Sequence, residues 1–277
     1  MGYFERALLE AVLAGGLAGL VGTLVVLRRR AFFTTALTHA TFPGGVAAAI
    51  VGVPVALGAA VVSVLLVAMM TALGRVRGQG PQIASGIVLT FGFALGVLLQ
   101  SFFPSLPVDV DSYLVGSILT TTPFDLVLTG AVLLVAVVAL VVAGKEIVFD
   151  SFDRIGYRAA GYRGWVPELV SLLLIAATVV TIMPAVGSIL AIALIVAPAA
   201  AARALTRSIG GTLVVAPLLG MLSGIAGLYA SSLFAISAGA AISLAAALVF
   251  FVALVVAGLR RSVLSRRMPG TATIEAA

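Results

Sequence analysis

The sequence contains no cysteine, a single histidine and few charged residues. Without cysteine, the chain forms no disulfide, no zinc-thiolate site and no catalytic thiolate. Charged residues make up 9% of the 277 residues and hydrophobic residues 62%, whereas soluble domains carry roughly 25% charged residues. A water-soluble fold of this length has too little interior to hide so much apolar surface. These shortages predict an integral membrane protein.

Groups for catalysis and ATP hydrolysis are also scarce. The only lysine, in Ala143-Gly144-Lys145-Glu146, lacks the upstream glycine and the following Ser or Thr of a phosphate-binding loop. We expect the carboxylates only in loops and at helix ends, where they form no nucleophile–base pair and no proton relay within the membrane. The chain is therefore predicted not to be an enzyme, and a partner must supply the energy for any uphill transport.

Long charge-free stretches define the predicted membrane spans. Because a spanning helix needs about 20 apolar residues, breaks at Pro, Gly and charged residues divide the chain into nine spans. They are residues 7–27, 31–53, 55–73, 84–103, 124–143, 166–183, 186–204, 211–233 and 239–259. We expect tight hairpins at 52–54 and 183–185; making one of them re-entrant would leave eight crossings. The predicted fold is all-α, a polytopic helical bundle of eight to nine transmembrane helices in one domain, residues 1–277.

The basic residues predict the orientation of this bundle. With nine crossings, fifteen of the sixteen basic residues fall on one membrane face, and only Arg6 lies opposite. Cytoplasmic loops carry the excess of Lys and Arg, so we expect an outside N-terminus, a cytoplasmic C-terminal tail at 260–277 and a location in the bacterial cytoplasmic membrane. Short basic clusters between apolar spans match a lipid bilayer as partner and exclude nucleic acid, which needs a continuous basic face.

Three Gly-x-x-x-Gly motifs lie within the spans, at 15–19, 92–96 and 220–224. Such motifs allow helix backbones to approach closely in lipid. We interpret them as ordinary helix packing without bearing on a substrate.

The predicted outer loop, residues 104–122, contains Asp109 and Asp111 but no basic residue. An acidic outer mouth could concentrate cations, although a solvated loop with two acids explains the same residues equally well. The loop ends at Thr122-Pro123-Phe124-Asp125, where a capping residue, a proline at the first helical position and an early acid predict a helix start.

The predicted inner segment, residues 145–165, has its own helical pattern. Apolar and small residues recur on one face of it: Phe152, Ile155, Gly156 and Ala159. Charged and polar residues lie off that face: Asp153, Arg154, Tyr157 and Arg158. Asp150 is the expected cap at the start and Gly161 at the end. A short amphipathic helix follows, lying either on lipid headgroups or in a protein groove, and its mixed charge favours the groove.

Five regions, taken in order, resemble the permease subunits of ABC importers for zinc and manganese. The region at 36–44, ALTHATFPG, is similar to the family's DALSHAVLPG. The others are 85–88 (SGIV) with 93–96 (FALG), 113–117 (YLVGS), 149–150 (FD), and 186–187 (VG) with 197–203 (APAAAAR). The resemblance covers most of the chain and implies the permease fold of metal, vitamin and siderophore importers.

The resemblance implies partners and a cargo. The expected assembly is a homodimeric permease with two separate ABC ATPase subunits, which bind the ATP, and an extracytoplasmic metal-binding protein. The chain itself binds no cofactor, and the cargo is Mn²⁺ or Zn²⁺, with iron also possible in this family. Residues 146–163 correspond to the coupling segment that contacts the ATPase. Its expected contact residues are Phe149, Asp150, Phe152, Asp153, Arg154, Tyr157 and Arg158.

His39 and Thr35 are the predicted metal-site residues. At 1.5 Å per residue, His39 lies about 12 Å into its span, where ionisable groups are functional candidates. A hydrogen bond to a neighbouring helix backbone is the alternative role for its ring. The family usually has an aspartate one turn earlier, where this chain has Thr35, and a hydroxyl is a weaker ligand than a carboxylate. A stand-alone secondary transporter or channel, and a non-transporting scaffold, are the alternative functions.

Overall fold

The computed structural model describes residues 2–73, 81–103 and 115–266. These ranges contain eleven α-helices and one short 3₁₀ turn, and no strand. The helices are α1 (Tyr3–Leu27), α2 (Ala31–Ala40), α3 (Phe42–Val51), α4 (Val55–Leu73), α5 (Pro81–Phe102), α6 (Pro123–Phe152), α7 (Arg154–Ala159), α8 (Trp165–Val186), α9 (Ser188–Leu205), α10 (Ile209–Phe234) and α11 (Ala238–Arg266). The 3₁₀ turn is Ile118–Thr120. The prediction of an all-α membrane bundle is confirmed.

Eight of these helices, in the described part of the chain, are long and apolar enough to cross a membrane. The predicted second span, 31–53, is instead two ten-residue helices, α2 and α3, so its prediction as one continuous helix is wrong. The break follows from Pro43, which has no N–H to donate and disfavours helical geometry before it. Both halves pack against α5, and α3 packs most extensively against α4. Along the chain, the pair therefore replaces the single predicted span 31–53.

The centre of the bundle is formed by α1 and α8. In the most apolar 18-residue stretch of each helix, 78% of the residues of α1 and 72% of those of α8 are buried. The corresponding share for α6, which faces outward, is 11%. Two of the glycine motifs bring α1 against α10: a Cβ on Gly15 or Gly19 would collide with the backbone of Gly220 or Ala216. The packing role predicted for these motifs is confirmed, since only a glycine allows so close an approach.

Two predicted element boundaries change in the structure, and a third is confirmed. Pro184 lies inside α8, and the expected break at 183–185 falls at Gly187, whose φ of +94° suits glycine. Helix α6 starts at Pro123 as predicted, with Thr122 Oγ1 accepting from Asp125 N at 3.3 Å. It then continues to Phe152, nine residues beyond the predicted end.

Candidate transport and coupling sites

His39 lies in the last turn of α2, next to the helix break, and is half-buried. Its ring meets the ring of Phe93 on α5 edge-on, with centroids 6.0 Å apart. Neither ring nitrogen forms a hydrogen bond with any residue in the described ranges. The backbone hydrogen bond considered as the alternative is therefore absent among those residues, and the nitrogens are available to a ligand.

Thr35 lies one turn before His39 on the same helix and is half-buried. Its hydroxyl donates to Ala31 O at 3.1 Å, and its carbonyl accepts from Thr38 Oγ1 at 2.8 Å. The hydroxyl hydrogen is thus engaged within the helix, whereas the oxygen lone pairs remain free to accept or to coordinate. Thr35 can supply at most one neutral oxygen ligand.

The glycine motif of α5, Gly92 and Gly96, packs closely against the break between α2 and α3. A Cβ on Gly92 would lie 2.6 Å from the Cβ of Ala40, and one on Gly96 would collide with the ring of Phe42. On the other side, Thr41 Oγ1 donates to Leu37 O at 3.0 Å and lies 3.8 Å from Met183 Sδ on α8. The interruption is therefore held between two helices, so its position is set by packing.

The described residues contain no group of three or more His, Cys, Asp or Glu side chains that could hold a metal ion. One copy of the chain brings only His39 and Thr35 together. Asp109 and Asp111, predicted for an acidic outer mouth, lie outside the described residues. Gly116 and Gly187, from two of the segments that resemble the family, lie side by side, since a Cβ on Gly116 would collide with Gly187 N.

The inner amphipathic helix is α7, shorter than predicted. Its cap is Asp153, whose Oδ1 accepts from Gly156 N at 2.7 Å, and not Asp150, which belongs to α6. The expected end at Gly161 is confirmed by a φ of +86°. Two large apolar residues of the predicted face are exposed: Ile155 of α7 is 84% accessible, and Phe152, the last residue of α6, is 64% accessible. An exposed apolar face on so short a helix fits a partner surface.

Tyr157, predicted to lie off the apolar face, is the buried anchor of α7. Its ring stacks on Tyr162 with centroids 5.0 Å apart and meets Phe149 edge-on at 5.4 Å. Its hydroxyl donates to Glu146 Oε2 at 3.2 Å. Burial raises the pKa of the Tyr157 phenol, and the Glu146 carboxylate adds to the rise. Tyr157 thus fixes α7 to the bundle, while Arg158 stays exposed beside it.

Asp150 makes a buried ion pair with Arg28, the residue that ends α1. Arg28 Nη2 donates to Asp150 Oδ2 at 3.0 Å and to Ile147 O at 3.3 Å. Burial lowers the pKa of the Arg28 guanidinium, and the Asp150 carboxylate opposes that shift. Local sequence patterns could not predict this ion pair, because the two residues are 122 positions apart in the chain.

Glu168, not singled out from the sequence, joins α7 to α2. Its Oε1 accepts from Arg30 Nη2 at 2.6 Å and its Oε2 from Arg154 Nη2 at 2.7 Å. Arg30 is the residue before α2, and Arg154 is the first residue of α7. A carboxylate bridge therefore connects the exposed helix α7 to the helix that carries His39.

Glu10 contradicts the expectation that carboxylates lie only in loops and at helix ends. It lies within α1, is fully buried, and has Oε1 2.8 Å from Thr129 Oγ1 of α6. Its Oε2 has no hydrogen-bond partner. Its position was visible from the sequence, because the predicted span 7–27 already contained it. Neither Glu10 nor Glu168 belongs to a cluster of metal ligands among the described residues.

Comparison with known proteins identifies the family. Residues 1–257 match the model of the ABC 3 transport family. The manganese transport system membrane protein MntC of Listeria innocua is 30% identical over 255 residues, 91% of this chain and 90% of that protein. The zinc transport system membrane protein TroC of Treponema pallidum is 32% identical over 235 residues, 80% and 78% of the two chains. The solved structure of PsaBC from Streptococcus pneumoniae in complex with Fab is similar with a TM-score of 0.85 at 27% identity, covering 96% of both chains. The resemblance seen in the sequence is confirmed, and the chain is a multi-pass membrane protein that belongs to the ABC 3 transport family.

Proposed function

We propose that the chain is the permease subunit of an ATP-driven importer for a divalent transition metal, manganese or zinc, with iron as a further candidate cargo. The family and the manganese and zinc transport named for its relatives support this cargo. The structural observation that carries the proposal is His39, whose ring nitrogens are free at an interrupted membrane helix. Broken helices near the middle of the membrane are where transporters bind their substrates.

Two copies of the chain complete the transit site in this proposal. One copy offers an imidazole and the Thr35 hydroxyl, which is fewer ligands than a divalent transition metal takes in a stable site. In a homodimer, two His39 side chains on a common path would add a second imidazole and offset the missing carboxylate. A loosely held ion also suits a transit site, because the metal must leave again.

The energy comes from two ATPase subunits that dock on α7 in this proposal. The exposed side chains of Phe152 and Ile155 provide the contact surface. Movement of α7 then reaches α2 through the carboxylate of Glu168, which holds Arg154 and Arg30 at 2.7 and 2.6 Å. An extracytoplasmic binding protein delivers the metal to the opposite face. This requires an outside N-terminus and a cytoplasmic C-terminus, which tag accessibility in intact cells will test.

Uptake by the reconstituted complex tests the proposal. Proteoliposomes with the permease, its ATPase and its binding protein should take up manganese or zinc when ATP is supplied, and His39→Ala should abolish uptake while the ATPase still co-purifies. Ser101→Ala, an exposed residue far along the chain from the break, is the control and should transport normally. Full uptake by His39→Ala would refute the site, and uptake without any ATPase would favour a secondary transporter or channel.

A further inference from the structure

A cavity of about 620 Å³ opens beside the link between α1 and α2. Its walls come from α1, α2, α5, the end of α6, α7, α9 and the start of α10. Its charged lining consists of Arg28, Arg29, Arg30, Arg154, Arg203 and Asp150. The cavity is therefore strongly basic, and it would repel a divalent metal ion.

The acidic side chains near the cavity leave part of this charge uncompensated. Arg28 pairs with Asp150, and Arg30 and Arg154 share Glu168. Arg29 and Arg203 make no hydrogen bond or ion pair with the described residues, and the Nε atom of buried Arg28 also has no partner. Several guanidinium donors thus face the cavity without an acceptor.

The backbone at Arg29 adds a second observation. Its φ is +54°, and Arg29 N and Arg30 N donate to Val26 O and Val25 O, which is the Schellman pattern of a helix end. Glycine is the usual residue at this position because an L side chain is strained there. A role of its charged side chain in binding a ligand in the cavity would explain why this strained position holds an arginine and not a glycine.

We infer that the cavity binds a phosphate-bearing anion, either the headgroup of an anionic lipid or a soluble phosphate compound. Planar guanidinium groups match phosphate oxygens in pairs of hydrogen bonds. The volume lies within the roughly 300–1,000 Å³ of small-molecule sites. Leu27, Phe32 and Ile209 give the cavity an apolar wall that suits the non-polar part of such a molecule. The N-terminus of α10 contributes further positive potential at Ile209 and Thr212.

Binding to the purified full-length chain tests this inference. The probes are phosphatidylglycerol, phosphatidylcholine and inorganic phosphate, followed by native mass spectrometry and thermal melting. The test variant is Arg29→Gln with Arg203→Gln, which breaks no hydrogen bond or ion pair among the described residues because both side chains are exposed and unpaired there. The control is Lys145→Gln with Arg163→Gln, which removes the same charge from exposed residues outside the cavity lining.

The expected result is that an anionic probe binds the wild type and the control, and binds the test variant at least about tenfold more weakly, as the loss of charge-assisted hydrogen bonds implies. Binding of phosphatidylglycerol but not of phosphate assigns the site to a lipid headgroup, and the reverse assigns it to a soluble phosphate. Three results overturn the inference: equal binding by the test and control variants, phosphatidylcholine binding as tightly as phosphatidylglycerol, or no binding of either anionic probe. None of these outcomes depends on metal transport.

Discussion

The ion pair between Arg28 and Asp150 joins the C-terminal ends of α1 and α6, with side chains only 6% and 1% exposed. Removing one member of such a pair leaves an uncompensated buried charge. We therefore expect Asp150→Ala to destabilise the protein by about 3–5 kcal/mol. The measurement is thermal melting of the purified chain in detergent.

Two variants separate this effect from local damage. Asp153→Ala, three residues later, removes the exposed cap of α7 and should cost only about 1 kcal/mol. Arg28→Met combined with Asp150→Leu removes both charges and should recover much of the loss. If Asp150→Ala melts as Asp153→Ala does, the pair does not hold α1 to α6.

Ile155 is the most exposed large hydrophobic side chain of α7, at 84%. We expect Ile155→Glu to weaken association with the ATPase by about 2 kcal/mol or more, roughly 30-fold, because apolar anchors dominate interfaces. The melting temperature of the permease alone should not change, since the side chain makes no buried contact. Co-purification with the ATPase is the measurement.

Tyr157→Phe is the matched control on the same helix. It alters a buried hydroxyl and leaves the exposed surface of α7 unchanged. The ATPase should therefore remain bound. Normal association of the Ile155→Glu protein would show that α7 is not the docking helix and would leave the lipid surface as its contact.

Tyr157 also predicts a loss of stability at alkaline pH. The native pKa of the phenol lies above its ordinary value of 10.0, so the neutral form is favoured in the folded state. Its contribution is fully present below about pH 10 and declines as the pH rises toward the native pKa, because the unfolded chain ionises first. Melting between about pH 9 and about pH 11 should therefore fall less steeply in Tyr157→Phe than in the wild type. Parallel curves would contradict the assignment.

Local patterns in the sequence predicted the parts of this molecule that depend on neighbouring residues. The capping sequence at Thr122 to Asp125 fixed the start of α6, and the glycine motifs of α1 and α10 predicted close packing. Apolar length identified the remaining spans, because lipid requires backbone groups to be bonded within each helix. Pro43 indicates a helix break, but the apolar run from residue 31 to residue 53 is long enough for one span. The sequence therefore predicted a single helix where the structure has α2 and α3.

Long-range pairs were not predictable from those patterns. Asp150 has the local features of a helix cap, yet its partner is Arg28 at the end of α1. Tyr157 lies between charged residues in the sequence, yet aromatic neighbours on both sides bury it. Glu168 bridges two arginines that are 124 positions apart in the chain. Burial and charge pairing of this kind depend on how helices pack, which no single helix encodes.

Substitutions at Thr35 test the proposed transit site directly. Thr35 lies one turn before His39 and supplies a neutral hydroxyl at the position where the family resemblance led us to expect a carboxylate. We expect Thr35→Asp to tighten binding of Mn²⁺ or Zn²⁺ by about tenfold or more, which is at least about 1.4 kcal/mol. A carboxylate is the stronger ligand, and it adds a negative charge beside the ion.

The measurement is the rise in melting temperature on adding metal, since a ligand that binds only the folded protein stabilises it. Without metal, Thr35→Asp should melt below the wild type because the new charge is partly buried. Thr35→Val keeps the shape of the side chain and removes the oxygen, so it should reduce the metal-dependent rise. Adding His39→Ala to Thr35→Asp should cancel the gain, because the carboxylate and the imidazole act on one ion. A gain that survives the loss of His39 would place the metal elsewhere and refute the pairing of these two residues.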